Sequence, residues 1–159
     1  MRKIIYHGSY LEVESPDIVH SRPRVDFGRG FYATPIREQA ENWCGKFLRQ
    51  GKEGIINSYE FADEKLTAFR VLQFEAYSED WLDFIMQCRR GTDTSTFDFI
   101  SGGVANDKVF NTIELYFDGL IEKKEALRRL RYEKPNLQYC FRSQLLIDQS
   151  LKFIGSEKI

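Results

Sequence analysis

The sequence predicts a single α+β domain spanning residues 1–159, and three observations lead to this. The 159 residues are enough for one domain with a sizeable buried core. Helical and strand patterns follow one another without regular alternation, which favours an α+β domain over a doubly wound parallel sheet. The chain also contains no linker, internal repeat or low-complexity segment. We therefore expect one continuous unit.

The N-terminal part is predicted to contain two strands and a helix. A short apolar run at residues 4–6 indicates the first strand, and residues 27–34 indicate the second. Thr34 followed by Pro35 is typical of a helix N-terminus, with threonine as the cap. Apolar residues then recur at intervals of three and four as far as Leu48, which predicts one buried helix face.

The middle of the chain is predicted to form a hairpin, a helix and a strand. Residues 55–61 and 68–74 indicate two strands joined by a charged turn. Ser78 precedes two acidic residues and an apolar pattern, so it is expected to cap a helix that ends at Gly91. Residues 97–101 indicate the next strand.

The C-terminal part is predicted to contain two helices and two strands. Residues 107–116 and 122–130 have helical periodicity and are separated by a turn. Pro135 breaks that pattern. Residues 137–141 then indicate a strand, and 150–154 indicate the last strand.

Composition excludes several classes of protein. With 23 basic and 24 acidic residues the formal charge is −1, so no strong field draws the chain to nucleic acid or membrane. No apolar run approaches the ~20 residues of a transmembrane helix, and the start is too short for a signal peptide. Cys44, Cys88 and Cys140 have no zinc-site spacing, so we expect no metal and three reduced thiols in the cytoplasm.

Three segments carry residues suited to chemistry. Residues 6–9 read YHGS at the end of the first strand, and residues 27–34 read FGRGFYAT. Residues 40–44 read AENWC and place Trp43 eleven residues after Tyr32. Each motif is weak alone, whereas their order and spacing together are more specific.

These segments resemble the catalytic domain of the poly-ADP-ribose polymerases and the wider diphtheria-toxin-like ADP-ribosyltransferase group. That group has a first-strand His-Gly-Ser, then Phe-Gly-Lys-Gly-Ile-Tyr-Phe-Ala, then a second aromatic at the same spacing. The whole chain also resembles a small bacterial family described only as a domain of unknown function and suspected to be ADP-ribosyltransferase-like. The resemblance implies an ADP-ribosyltransferase-like split β-sheet with flanking helices, and NAD as the substrate.

The resemblance also implies roles for particular residues. His7 would bind the adenosine ribose, and Gly8 would hold the nicotinamide carboxamide through its backbone, next to Ser9 in the cofactor site. Tyr32 and Trp43 would sandwich the nicotinamide ring, and stacking adds about 0.5–1.5 kcal/mol beyond area burial. A departure from the group is Ala40, where the polymerases have a serine that holds the carboxamide.

A second departure concerns catalysis, which the resemblance assigns to Tyr32 and to a late-strand glutamate. In residues 136–141 (NLQYCF) the corresponding position is Gln138. Glutamine can still bind the ribose hydroxyl, but it has no negative charge to stabilise an oxocarbenium-like transition state. Losing one such group commonly costs roughly 10²–10³ in rate.

Three functions therefore remain open. The first is an enzyme that transfers ADP-ribose from NAD to an unidentified acceptor, expected to be a macromolecule, although members of the group modify protein, DNA, RNA and small molecules. The second is a weak or inactive pseudo-transferase that binds NAD or ADP-ribose, and the third is an NAD hydrolase. Compact bacterial members of the group are often toxins or effectors, for which an antitoxin protein is the expected partner.

Several residues also have plainer interpretations. Trp43 lies on the apolar helix face and can be a core residue, and Cys44 there is expected to be an inert thiol. His20 is expected to be exposed. Residues 101–107 are either a helix cap or a substrate-facing loop. Three loop arginines could meet the cofactor phosphates but are more simply solvated: Arg22, Arg24 and Arg29.

Overall fold

The computed structural model shows an α+β protein and describes residues 2–103, 105, 107–131 and 136–159. Its strands are β1 (Arg2–Ser9), β2 (Phe31–Ala33), β3 (Ile55–Ala62), β4 (Val71–Gln73), β5 (Phe99–Gly102), β6 (Gln138–Phe141) and β7 (Leu151–Lys158). Its helices are α1 (Arg37–Arg49), α2 (Glu79–Arg90), α3 (Asp107–Phe117), α4 (Lys123–Leu130) and α5 (Gln144–Ser150). A 3₁₀-helix spans Asp63–Ala68.

The strands form two sheets. The first sheet has the order β1-β3-β7 and is antiparallel. The second sheet has the order β2-β6-β5-β4, in which β4 and β5 run parallel while the other neighbours are antiparallel. An isolated bridge between Tyr6 of β1 and Thr34, just after β2, joins the two sheets. β1 and β2 therefore meet at one point and then separate.

Each face of the second sheet has its own core, because successive side chains of a strand point to opposite faces. Tyr139 and Phe141 of β6 pack with residues of the first sheet, and the Phe61 and Phe141 rings meet edge to face at 5.2 Å between centroids. Cys140, between them in sequence, packs on the other side with Trp81 and other residues of α2 and α3. The second sheet is therefore buried on both faces.

The predicted end of α2 and its cap are confirmed. The Ser78 hydroxyl accepts a hydrogen bond from the Trp81 N–H at 3.2 Å. Gly91 adopts a left-handed conformation, φ 73°, which glycine adopts without the steric penalty of a Cβ. Two strong local signals thus set both ends of this helix.

The predicted hairpin of residues 55–61 and 68–74 is wrong. The first segment is β3 in the first sheet, whereas the second contributes only β4, which pairs with β5 in the second sheet. The 3₁₀-helix Asp63–Ala68 carries the chain from one sheet to the other. A strand pattern in sequence gives no information about the partner strand, so a short charged connection does not by itself indicate a hairpin turn.

The second predicted strand is shorter than residues 27–34, because residues 27–30 form a turn in which Gly28 has φ 76°. The predicted threonine cap is also wrong, since α1 begins after Ile36 without a side-chain cap. Thr34 instead accepts a hydrogen bond from the Ile36 N–H at 3.0 Å and donates one to the Leu137 carbonyl at 2.7 Å. This residue links the start of α1 to the start of β6.

Most other elements are confirmed, with longer first and last strands than predicted. The short helix α5 was missed, because its seven residues lie directly between two strands. Pro135 and part of residues 101–107 lie outside the described residues. In the part of the chain that is described, no helix is long and apolar enough to cross a membrane.

Candidate functional site

The His7 side chain contacts β2 at the point where the pairing between β1 and β2 ends. Its Nδ1 lies 2.6 Å from the Tyr32 carbonyl oxygen, and a carbonyl only accepts, so Nδ1 carries the proton. The imidazole also packs on Phe31, with ring centroids 4.6 Å apart. Burial lowers the pKa of His7 below its ordinary value, and the hydrogen bond to Tyr32 opposes this. The ring is therefore neutral at neutral pH, with an acceptor lone pair on Nε2.

Gly8 lies where the two strands part. Tyr6 exchanges two backbone hydrogen bonds with Thr34, at 2.8 and 2.9 Å, so continued pairing would place Gly8 opposite Tyr32. The His7 ring instead takes the Tyr32 carbonyl. Because backbone groups alternate along a strand, the N–H and C=O of Gly8 project from the same edge as those of Tyr6, away from β3. We call Gly8 with the His7 ring the split edge.

Glycine is required at position 8 by packing. A Cβ there would lie 2.4 Å from the Ala40 carbonyl oxygen of α1, a backbone atom that cannot move aside. The same position lies 3.3 Å from the Trp43 Cβ. Helix α1 therefore crosses directly against the split edge, and only a residue without a side chain allows this approach.

Trp43 lies beside the split edge rather than in the core. It is half-buried and does not belong to any of the buried clusters, whereas Ala40 and Cys44 of the same helix are fully buried. The plainer interpretation of Trp43 as a core residue therefore finds no support. The Trp43 and Tyr32 rings make no ring contact with each other among the described residues.

The Tyr32 hydroxyl stabilises the turn that precedes β2. Its hydroxyl donates to the Gly28 carbonyl at 2.6 Å and accepts from the Phe27 N–H at 3.0 Å. Burial raises the pKa of Tyr32 well above its ordinary value, so the hydroxyl stays protonated. Tyr32 pairs with Cys140 in β6, which places its side chain on the same face of the second sheet as Gln138.

Ser9 forms a local turn. Its hydroxyl accepts a hydrogen bond from the Leu11 N–H at 3.3 Å. This is the contact expected of a serine that ends a strand. The structure thus gives Ser9 a structural contact next to the split edge.

Gln138 is the first residue of β6 and is 4% exposed. Its Nε2 donates to Asp26 Oδ2 at 3.3 Å. We call these two residues the Asp26–Gln138 pair. Sequence reasoning missed Asp26, because it ends a polar loop just before the motif of residues 27–34 and lies 112 positions from Gln138 in sequence.

Asp26 is held by further donors. The Arg89 Nε lies 3.0 Å from Oδ1, a second guanidinium nitrogen contacts the same oxygen, and the Ala105 N–H lies 3.4 Å from Oδ2. The Asp26 side chain is only 13% exposed. These donors hold the Asp26 carboxylate in one position beside Gln138.

Arg142 holds the neighbouring backbone of the same loop. Its Nε and one Nη donate to the Phe27 carbonyl at 3.0 and 2.8 Å, and the same Nη lies 2.9 Å from Asp93. Arg142 and Asp93 are each 12% exposed. The loop that carries Asp26 is thus fixed by buried charged groups as well as by the Tyr32 hydroxyl.

The remaining candidates lie apart from these residues. The His20 side chain is 87% exposed, as expected, and it also pairs with Asp17. Cys44 is fully buried, which raises the pKa of its thiol and fits an inert core residue. All three loop arginines are exposed, as the plainer interpretation expects: Arg22, Arg24 and Arg29.

Two surface cavities of about 420 and 520 Å³ lie elsewhere. One is lined by residues around Pro16 and α5, and the other by residues around Gly28 and Arg142. Neither includes His7, Tyr32, Trp43 or Gln138. These four predicted site residues therefore lie outside both cavities.

A family model described as a protein of unknown function, DUF3990, matches residues 3–153. The chain belongs to this family. The match covers β1, α1 and β6, so the split edge and the Asp26–Gln138 pair both lie inside the family's domain. No curated protein and no solved structure matches the chain.

Proposed function

We propose that this protein binds NAD at the split edge and transfers its ADP-ribose to a macromolecule. The observation that carries the proposal is the His7 hydrogen bond to the Tyr32 carbonyl. This bond leaves His7 Nε2 as an acceptor. It also occupies the Tyr32 carbonyl, so Gly8 lacks the strand partner that continued pairing would supply. The N–H donor and the C=O acceptor of the Gly8 backbone complement a carboxamide, and Nε2 complements a ribose hydroxyl.

Trp43 supports the same proposal. Its half-buried side chain lies beside Gly8, outside the core clusters, where it can cover one face of a flat ring. Tyr32 lies on the adjoining strand and can cover the other face. An aromatic surface next to carboxamide-binding backbone groups is suited to nicotinamide.

The reaction would break the bond between the nicotinamide nitrogen and C1′ of the adjacent ribose. The electron pair leaves with nicotinamide, and positive charge develops on the ribose. A nucleophilic oxygen or nitrogen of the acceptor then bonds to C1′ and releases its proton to solvent. Gln138 would hold the ribose hydroxyl, and Tyr32 would hold the leaving nicotinamide in place.

Calorimetry with NAD tests the binding step. We expect His7→Ala to weaken NAD binding about tenfold or more, because a ribose hydrogen bond is lost and the edge is free to close. His20→Ala is the matched control, since His20 is exposed and lies outside the site. If the wild-type protein does not bind NAD, or if both variants bind equally well, the proposed site is wrong.

Labelled NAD and a cell lysate test the transfer step. We expect label on a macromolecule together with free nicotinamide. Free ADP-ribose without labelled macromolecule would indicate an NAD hydrolase instead. The distribution of label among protein, DNA and RNA fractions would identify the acceptor class.

A second candidate, a pseudo-transferase that holds NAD or an ADP-ribose derivative without turnover, is favoured by Gln138. An amide lacks the charge that stabilises the ribosyl cation. This candidate predicts calorimetric binding that depends on His7, with no release of nicotinamide. Rapid turnover by the wild-type protein would contradict it.

A further inference from the structure

Gln138 has a defined orientation, and Asp26 sets it. A glutamine amide can present either its oxygen or its nitrogen to a ligand. Because the Asp26 carboxylate only accepts, the Gln138 Nε2 must face Asp26, and the bond is 3.3 Å. The Gln138 oxygen is then directed elsewhere, and no donor among the described residues bonds to it.

Asp26 cannot easily turn away from Gln138. Arg89 binds Oδ1, whereas Gln138 and the Ala105 N–H bind Oδ2. The next residue, Phe27, is held at its N–H by the Tyr32 hydroxyl and at its carbonyl by Arg142. A carboxylate fixed on both sides needs no reorganisation when charge develops nearby, which makes its electrostatic effect larger.

We propose that the two residues of the Asp26–Gln138 pair together perform the function of one catalytic carboxylate. The proposal rests on the proposed transferase function. Gln138 contacts the substrate, and its Oε1 accepts a hydrogen bond from the ribose hydroxyl. Asp26 is a positioning residue that fixes this amide and supplies the negative charge. As the electron pair leaves with nicotinamide, the Asp26 charge polarises the amide, and its oxygen faces the developing cation.

A charge exchange between the two positions tests the pair. Asp26→Asn keeps the size of the side chain but removes the charge and replaces one acceptor oxygen with an NH₂ group, so we expect nicotinamide release to fall roughly 10²-fold. Asp26→Asn combined with Gln138→Glu moves the charge to β6 and should restore at least the wild-type rate. Gln138→Glu alone should raise the rate of nicotinamide release only slightly above that of the wild type. The reason is that two adjacent carboxylates cannot both ionise near neutral pH.

Arg89→Gln is the control for a purely structural role. It removes the ion pair of Asp26 but keeps its charge. If Asp26 only anchors the fold through Arg89, Arg89→Gln and Asp26→Asn will lower the rate equally. Our proposal predicts that Arg89→Gln, which keeps the Asp26 charge but removes one of its fixed donors, lowers the rate clearly less than Asp26→Asn does. Thermal unfolding of each variant confirms that it is folded.

A second readout does not depend on NAD. In Gln138→Glu, NMR titration of the introduced carboxyl group should give a pKa above the ordinary value, and the pKa should fall once Asp26→Asn is added. If the carboxyl group at position 138 has the same pKa with and without Asp26→Asn, the two side chains do not interact and the proposal is wrong. NAD binding without nicotinamide release by any of these proteins overturns its catalytic role, whereas absence of NAD binding overturns the proposed function itself.

Discussion

The split edge and the Asp26–Gln138 pair differ in what they are made of. The split edge uses backbone groups and a neutral imidazole, placed by β1, β2 and α1, the first three elements of the chain. The Asp26–Gln138 pair uses a buried charge, held by residues from distant parts of the chain. Binding and catalysis are therefore expected to fail for different reasons: loss of shape in the first region, and loss of charge in the second.

The largest expected difference in stability is that between variants of the two tryptophans. Trp81 is fully buried and its Nε1–H donates to the Gly103 carbonyl at 3.3 Å, so Trp81→Ala should lower the free energy of unfolding by about 3–5 kcal/mol. Trp43→Ala should cost less than about 1 kcal/mol but weaken NAD binding about tenfold. Denaturant titration and calorimetry measure both. A large stability loss from Trp43→Ala would place Trp43 in the core after all.

Arg142→Met tests whether buried charge fixes the loop that carries Asp26. It leaves Asp93 without its partner and takes two donors from the Phe27 carbonyl, so we expect a loss of about 3 kcal/mol. Arg129→Met is the matched control, because its ion pair with Glu125 is solvent-exposed and should contribute little to stability. Similar costs in denaturant titration would contradict the importance of this network.

Gly8→Ala tests the shape of the split edge. The added Cβ meets the Ala40 carbonyl, so α1 must shift, and we expect a loss of about 1–3 kcal/mol together with weaker NAD binding. In Gly45→Ala, on the same helix, the new Cβ meets only the flexible end of Arg49. That control should be neutral or stabilising by about 0.5–1 kcal/mol. A Gly8→Ala variant as stable as the wild type would refute the close approach.

The smallest expected effect is a pH dependence from His7. Its pKa is lowered in the folded state, so the unfolded chain takes up a proton first as pH falls below about 6.5. Stability should therefore decrease from that pH down to the folded-state pKa, by at most about 1.4 kcal/mol per pH unit. The difference between wild type and His7→Gln in denaturant titrations isolates this effect. Parallel curves for the two proteins would show that the ring is not desolvated.

The sequence was informative where structure is local. The cap at Ser78 and the glycine at Gly91 each follow from one or two neighbouring residues. The close approach that requires glycine at position 8 does not, because it is made to the Ala40 carbonyl of α1. Asp26 was not predictable, because its partners Arg89 and Gln138 come from a helix and a strand far along the chain. The failed hairpin has the same cause, since periodicity predicts a strand but not its neighbour.

The bridge between Tyr6 and Thr34 has a consequence for fluctuations of the native state. The two sheets share this backbone contact at the point where they part, so local opening between them must break it. Its amides should exchange with solvent faster than those in the centre of β3, which is hydrogen-bonded on both sides. A ligand lying across the split would slow exchange at Tyr6 and Thr34 and leave β3 unchanged. Occupancy of the site can thus be followed at two backbone positions that the ligand itself need not touch.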